Sequence, residues 1–168
     1  MEKTQVAQRI VGRDVSGSPL FCDGASGLAH VVAHHHLDAG RPEEGHRVLG
    51  AWLATHEGTG SDWTHLQWHM AVFEIATGRW TSAFERFSLH ILPAVSAGDA
   101  HTDGPSLLWR LSLTNPGGVE VPWESVREAA IEGLRQPSAP YVELHHLLAL
   151  AGAGDASSIA GWRHAHVR

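Results

Sequence analysis

A single cysteine, Cys22, is all the thiol chemistry this chain carries, which excludes an internal disulfide. No apolar run approaches the ~20 residues that span a bilayer, and the opening MEKTQVAQRIVGRD lacks the uninterrupted apolar core of a signal segment. A cytoplasmic location with no membrane contact is therefore expected. Charge is sparse too: only 18% of residues are charged, the net charge is −6, and Lys and Arg never cluster, which argues against nucleic acid as a partner. The chain has no GxxxxGK[ST], no GxGxxG after a strand, no GxSxG and no HExxH, so nucleotide, serine-hydrolase and zinc-protease chemistry lack local support. No segment joins β-branched enrichment to period-two alternation, which points to an all-α fold.

What is present is apolar residues, histidine and tryptophan. With 168 residues and 43% apolar content the chain can bury one real core. Its 14 histidines and 7 tryptophans are unusual for that length. Full histidine protonation would move the formal charge from −6 to +8, so mild acid should stress the fold if many are buried.

The segment DWTHLQWHMAVFEIATGRW, 62–80, reads as a helix with two covered faces. Trp63, Leu66, Met70 and Phe73 make an apolar stripe of helical period, while His65, Trp68, His69, Val72 and Ile75 occupy a second face. Gly78 stops this helix and Trp80 opens the next. The turn is echoed: HLDAGRPEEGHRVL around Gly40 and ALAGAGDASSIAGW around Gly154 lie 38 residues before and 76 after it. A third turn of this kind belongs near Pro116, in TNPGGVEVP.

Four antiparallel helical hairpins follow. The first pairs residues 26–39 with 42–56, started by Pro42 and using Leu49, Trp52, Leu53 and His56 as the buried stripe of its second helix. The second pairs 62–77 with 80 to about 96, using Trp80, Phe84, Phe87 and Ile91, with Pro93 kinking or ending that helix. The third pairs 105–114, behind an Asp103 cap, with 122–135. The fourth pairs 139–151 with 156–166, capped by Asp155 and buried through Ile159, Trp162 and His166. Small residues, Ala33 and Ala71 in first helices and Gly45 and Ala83 in second ones, mark close crossings. Residues 1–23 form a separate, partly irregular arm, read first as a disordered tail and alternatively as a strap over an exposed hairpin face; residues 24–168 form the repeat domain.

The phrases WTHLQWHMAVFEIATGRW, SLLWRLSL, the HHH before DAGRPEEG, and LHHLLALAGAGD resemble the tetratricopeptide repeat protein 38-like family over roughly residues 24–167. The resemblance implies a TPR-like α-solenoid and carries no settled reaction. Family members are longer, with further hairpins ahead of the matched region, so a shortened member should need the arm or a second subunit as a cap; a homodimer is expected.

In such solenoids first helices line the concave side, and a shift of 38 residues groups their positions into layers. Gly27, His65, Asp103 and Tyr141 form one; His30, Trp68, Ser106 and Leu144 the next; then Val31, His69, Leu107 and His145; then His34, Val72, Arg110 and Leu148. The expected function is binding of a small molecule or peptide in this groove, with His30, His34, Trp68, Ser106, Arg110, Tyr141 and His145 as ligand contacts and Arg110 as a fork for a carboxylate or phosphate. Trp109 falls one residue off the inward layer and reads as core, like Trp52 and Trp80.

An alternative is a small enzyme using the His65, His69, Asp103, Arg110 and His145 cluster for acid–base or metal-assisted chemistry, with His65, His69 and Asp103 as the catalytic candidates. A pure scaffold is a third. The i,i+4 pairs His30/His34 and His65/His69 have metal-ligand spacing, with Asp103 or Glu74 as a carboxylate. Chance pairs are expected among so many histidines, so hydrogen bonding ranks ahead of coordination and no metal or other cofactor is expected. His34, His35 and His36 point three ways and cannot act as one site. Cys22 has no neighbour that would activate it.

Overall fold

The computed structural model describes residues 9–13, 19–22, 24–114, 118 and 120–166, with side chains from Ser26 on. Every described element beyond residue 23 is helical: α1 Gly24–Asp38, α2 Pro42–Leu53, α3 Gly60–Ala76, α4 Trp80–Arg86, α5 Leu92–Ala97, α6 Asp103–Thr114, α7 Glu124–Gly133, α8 Pro140–Gly152 and α9 Ala156–His166. A π-helical turn, Phe87–Ile91, joins α4 to α5. It widens the helix just ahead of Pro93, which lacks a donor, so the helix continues through the proline instead of stopping.

The echoed turns share one hydrogen-bond pattern. Gly40, Gly78 and Gly154 take φ of 64°, 77° and 72°, a left-handed conformation that costs glycine little. After each, the next residue donates to the carbonyl five positions back: Arg41 to His36 at 2.9 Å, Arg79 to Glu74 at 2.7 Å, Asp155 to Leu150 at 2.9 Å. This is the Schellman closure of a helix C-terminus. Gly118 also takes positive φ, close to the expected third turn; residues 115–117, Pro116 among them, lie outside the described residues. Asp155 caps α9 as expected, accepting from Ser158 N–H at 3.0 Å.

Some boundaries move. α6 begins at Asp103, so this residue belongs to the first turn instead of capping it from outside. α2 ends at Leu53, leaving His56 exposed, its ring stacked on Trp52 at 4.2 Å. His166 is likewise exposed, stacked on Trp162 at 5.0 Å. Both were expected in buried stripes; His56 lies past the end of α2, and α9 has no fully buried residue, with Ile159 and Trp162 only half-buried. Residues Arg9–Arg13 (β1) and Pro19–Cys22 (β2) form an antiparallel pair with Ile10 opposite Phe21, within the segment expected to be a partly irregular arm. The rest of the arm, the tail and strap readings, and the Cys22 side chain lie outside the described residues.

The core has two parts. Ala29, Ala33, Leu49, Leu66, Met70 and Phe73 close the space among α1, α2 and α3. Ala71, Ile75, Ala83, Phe87, Ile91, Val95, Leu107, Leu108, Leu111, Val126, Ala130, Ala149 and Leu150 fill the rest. α3 therefore has two buried faces, as its sequence requires. Gly45 permits the α2–α3 crossing, since a Cβ there would overlap the Phe73 ring. α1, α3, α6 and α8 pack against one another in that order, while α7 packs on α5 and α8. Among the described residues no helix is long and apolar enough to cross a membrane.

Candidate functional site: four imidazoles between α1 and α3

The order α1, α3, α6 brings residues from three helices to one place. One turn apart on α1, His30 and His34 approach each other, Nε2 to Nε2, at 3.0 Å. His65 and His69, one turn apart on α3, face them. Ring centroids are 5.0 Å apart for His30 and His65, 4.9 Å for His30 and His69, and 4.6 Å for His34 and His69. One nitrogen from each of the four rings lies within 4.8 Å of the other three. From α6, Asp103 places both carboxylate oxygens 3.1 Å from His65 Nδ1. This bond assigns the tautomer: Nδ1–H donates to Asp103, and in the neutral ring Nε2 of His65 keeps its lone pair.

Burial is graded across the cluster. His34 is exposed, His30 and His65 are half-buried, and His69 is fully enclosed at 0% exposure. Neither ring nitrogen of His69 has a hydrogen-bond partner, which is costly for a buried polar group. Burial, reinforced by its histidine neighbours, holds His69 well below the ordinary histidine range. Burial, then His65 and His34, bring His30 down to about 4. Burial and His65 also lower His34. On His65 burial pulls downward, but the hydrogen bond and charge of Asp103 outweigh it and leave the pKa raised. The cluster thus contains three imidazoles that favour the neutral form and one that favours the cation.

Beside this centre lies Trp68. Its ring stacks on His65 at 5.3 Å, nearly parallel at 6°. The Arg110 guanidinium lies 5.2 Å from the Trp68 ring centroid and donates through Nη1 to the Ser106 hydroxyl at 2.7 Å and the Ser106 carbonyl at 3.0 Å. Among the described residues Arg110 has no carboxylate in ion-pair contact, and partial burial of its guanidinium lowers its pKa. Tyr141 is exposed and near enough to act electrostatically on Arg110.

Other expected residues go elsewhere. His145 is buried, and its Nδ1 engages the Tyr141 carbonyl at 2.7 Å, so it serves α8 and not the cluster. Glu74, considered as a carboxylate ligand, accepts two bonds from Arg86 at 2.8 and 3.0 Å, and Arg86 also reaches Gln67. Leu107 is core, whereas Trp109, expected in the core, is 42% exposed. His36 turns inward, 3.9 Å from Glu44, while His34 and His35 stay exposed, in keeping with three divergent directions. Sequence reasoning missed the pairing of His101 with His146, 5.2 Å apart, because they are 45 residues apart and match no repeat interval.

Chemically, the cluster offers four nitrogen donors, one carboxylate-linked imidazole able to exchange a proton, and an adjacent cation on an aromatic face. No family model matches the chain, and no solved structure matches it.

Proposed function

We propose that the protein is a TPR-like helical-repeat binding protein of four hairpins, a shortened relative of the tetratricopeptide repeat protein 38-like family, holding a small anionic molecule or an acidic peptide on the face of its first helices. The observation that carries this reading is Arg110: a guanidinium packed over Trp68, with no carboxylate paired to it among the described residues, on a face shared with Ser106 and Tyr141. An unpaired, partly desolvated guanidinium favours a carboxylate or phosphate that accepts two parallel hydrogen bonds. The aromatic rings beside it suit the body of the same ligand.

The test is a thermal-shift and tryptophan-fluorescence screen, run with a chelator present, comparing aromatic carboxylates and peptides ending in a free carboxylate with their amides. Binding of the acids alone, lost in Arg110→Ala, is the expected result. Equal response to acids and amides removes the reading.

A second reading is favoured by the His65–Asp103 pair, which has the form of a general acid–base couple. In that role His65 Nε2 would exchange the proton while Asp103 fixes the ring. A bell-shaped pH–rate profile abolished in His65→Gln would establish it.

A further inference from the structure

We propose that His30, His34, His65 and His69 bind one divalent late first-row transition-metal ion, zinc(II) or copper(II), with Asp103 as the outer partner that aims His65. The inference deepens the binding reading above, and rests on it only in placing this centre on the binding face.

Three observations converge. First, four donors from two helices meet in one volume, all within 4.8 Å of one another. In a tetrahedral site with metal–nitrogen bonds of about 2.0–2.1 Å, ligand nitrogens stand about 3.4 Å apart. The 3.0 Å approach of His30 and His34 is slightly inside that spacing, and small ring rotations would bring all four nitrogens to it. Second, His69 is wholly buried with both nitrogens unpaired, and its ring touches those of His30, His34 and His65. Hydrogen bonding does not account for a ring so placed; a cation at the centre supplies its missing partner. Third, Asp103 holds Nδ1 of His65 through both oxygens. A carboxylate behind a ligating imidazole fixes the tautomer and raises donor strength at Nε2.

The donor set narrows the occupant. Neutral imidazoles suit zinc, copper, nickel and iron, whereas magnesium and calcium require oxygen ligands. Four protein nitrogens complete a tetrahedral zinc shell, which would make the ion a clasp between α1 and α3. Copper(II) favours a tetragonal arrangement and would leave an axial position for solvent or an anion. The exposed edge of His34 is where an ion would enter.

The experiment uses full-length protein, free of any histidine tag and stripped with chelator, titrated by calorimetry with zinc(II) and copper(II), and with magnesium(II) as control. One saturable site per chain is expected for zinc or copper and none for magnesium. His34→Ala, at an exposed position, should abolish that site while circular dichroism stays unchanged; His164→Ala, exposed on α9, should leave it intact. Asp103→Asn should weaken affinity about 10–100-fold. X-ray absorption on loaded wild-type protein reads the donors without any variant, and four nitrogens at about 2.0–2.1 Å are expected. Absence of a saturable site, a shell dominated by oxygen, or wild-type binding in His34→Ala would overturn the proposal. Retained binding of acids to Arg110 with no metal uptake would remove this inference alone; metal uptake without acid binding would remove the other alone.

Discussion

His65 and Asp103 stand 38 residues apart in sequence and 3.1 Å apart in space, so one hydrogen bond spans the same interval that separates the turns at Gly40 and Gly78. The interval that separates Gly40 from Gly78 also aligns α3 with α6, and it delivers a carboxylate to an imidazole that would otherwise be lowered by burial. Architecture and electrostatics meet in that pair.

Replacing Asp103 with Asn removes the charge and retains the shape. The His65 pKa, raised above the ordinary histidine value in the wild type, should fall once burial is opposed only by the smaller effect of the Asp62 charge. A histidine NMR titration reads this directly. An unchanged His65 midpoint in Asp103→Asn would show that the carboxylate does not control the ring.

Acid should destabilise the metal-free protein in a defined window. His30 and His69 have folded pKa values below that of the unfolded chain, so the unfolded state binds more protons as pH falls. Their contribution is intact above about 6.5 and is lost progressively as pH drops toward the His30 value of about 4. His146, lowered by burial and then by His101, acts in the same direction. His65 is raised, so its contribution has the opposite sign and fades as pH rises. Urea denaturation at pH 7.5, 6 and 5 should therefore give midpoints that decrease with acid. Equal midpoints would mean that the rings protonate freely in the fold.

Two glycine replacements should have opposite signs. Gly45→Ala pushes a Cβ into the Phe73 ring at the α2–α3 crossing and should cost about 1–3 kcal/mol. Gly161→Ala, inside α9 with open space around it, should stabilise by about 0.4–1 kcal/mol through the unfolded chain. Melting curves of the two variants against wild type check both.

Much of this was legible in the chain, and the failures share a cause. Gly40, Gly78 and Gly154 announced their turns because a left-handed closure leaves a local mark. Leu66, Met70 and Phe73 were readable as core because α3 is long enough for its period to show. The two histidine pairs and the groove they share were readable from the 38-residue shift, but the closeness of their four nitrogens was not, since i,i+4 spacing leaves the rotation of each helix open. Trp109 and His145 were misplaced for a related reason: a repeat interval fixes which residues are equivalent and leaves the rotation of each helix to packing. His56 was lost to a helix that stops three residues early.

Glu74 and Arg86 form the buried ion pair of the second hairpin, with Glu74 2% exposed. Removing one partner strands the other charge, so Glu74→Ala should cost about 3–5 kcal/mol. The double replacement Glu74→Leu with Arg86→Met should recover most of that loss. Chemical denaturation of the three variants measures it.

α3 touches α1, α2, α4, α5, α6 and the π turn, and among the described residues it alone supplies side chains to both parts of the core. In an ordinary row of repeats each unit leans only on its neighbours, and an end can fray while the middle holds. Here α3 is a keystone: a break in the chain at Gly78 would leave the N-terminal fragment with Ala71 and Ile75 uncovered and the other fragment with a core that lacks them. The four imidazoles sit against that helix, so a clasp closed on them would tighten the joint on which both halves of the protein depend.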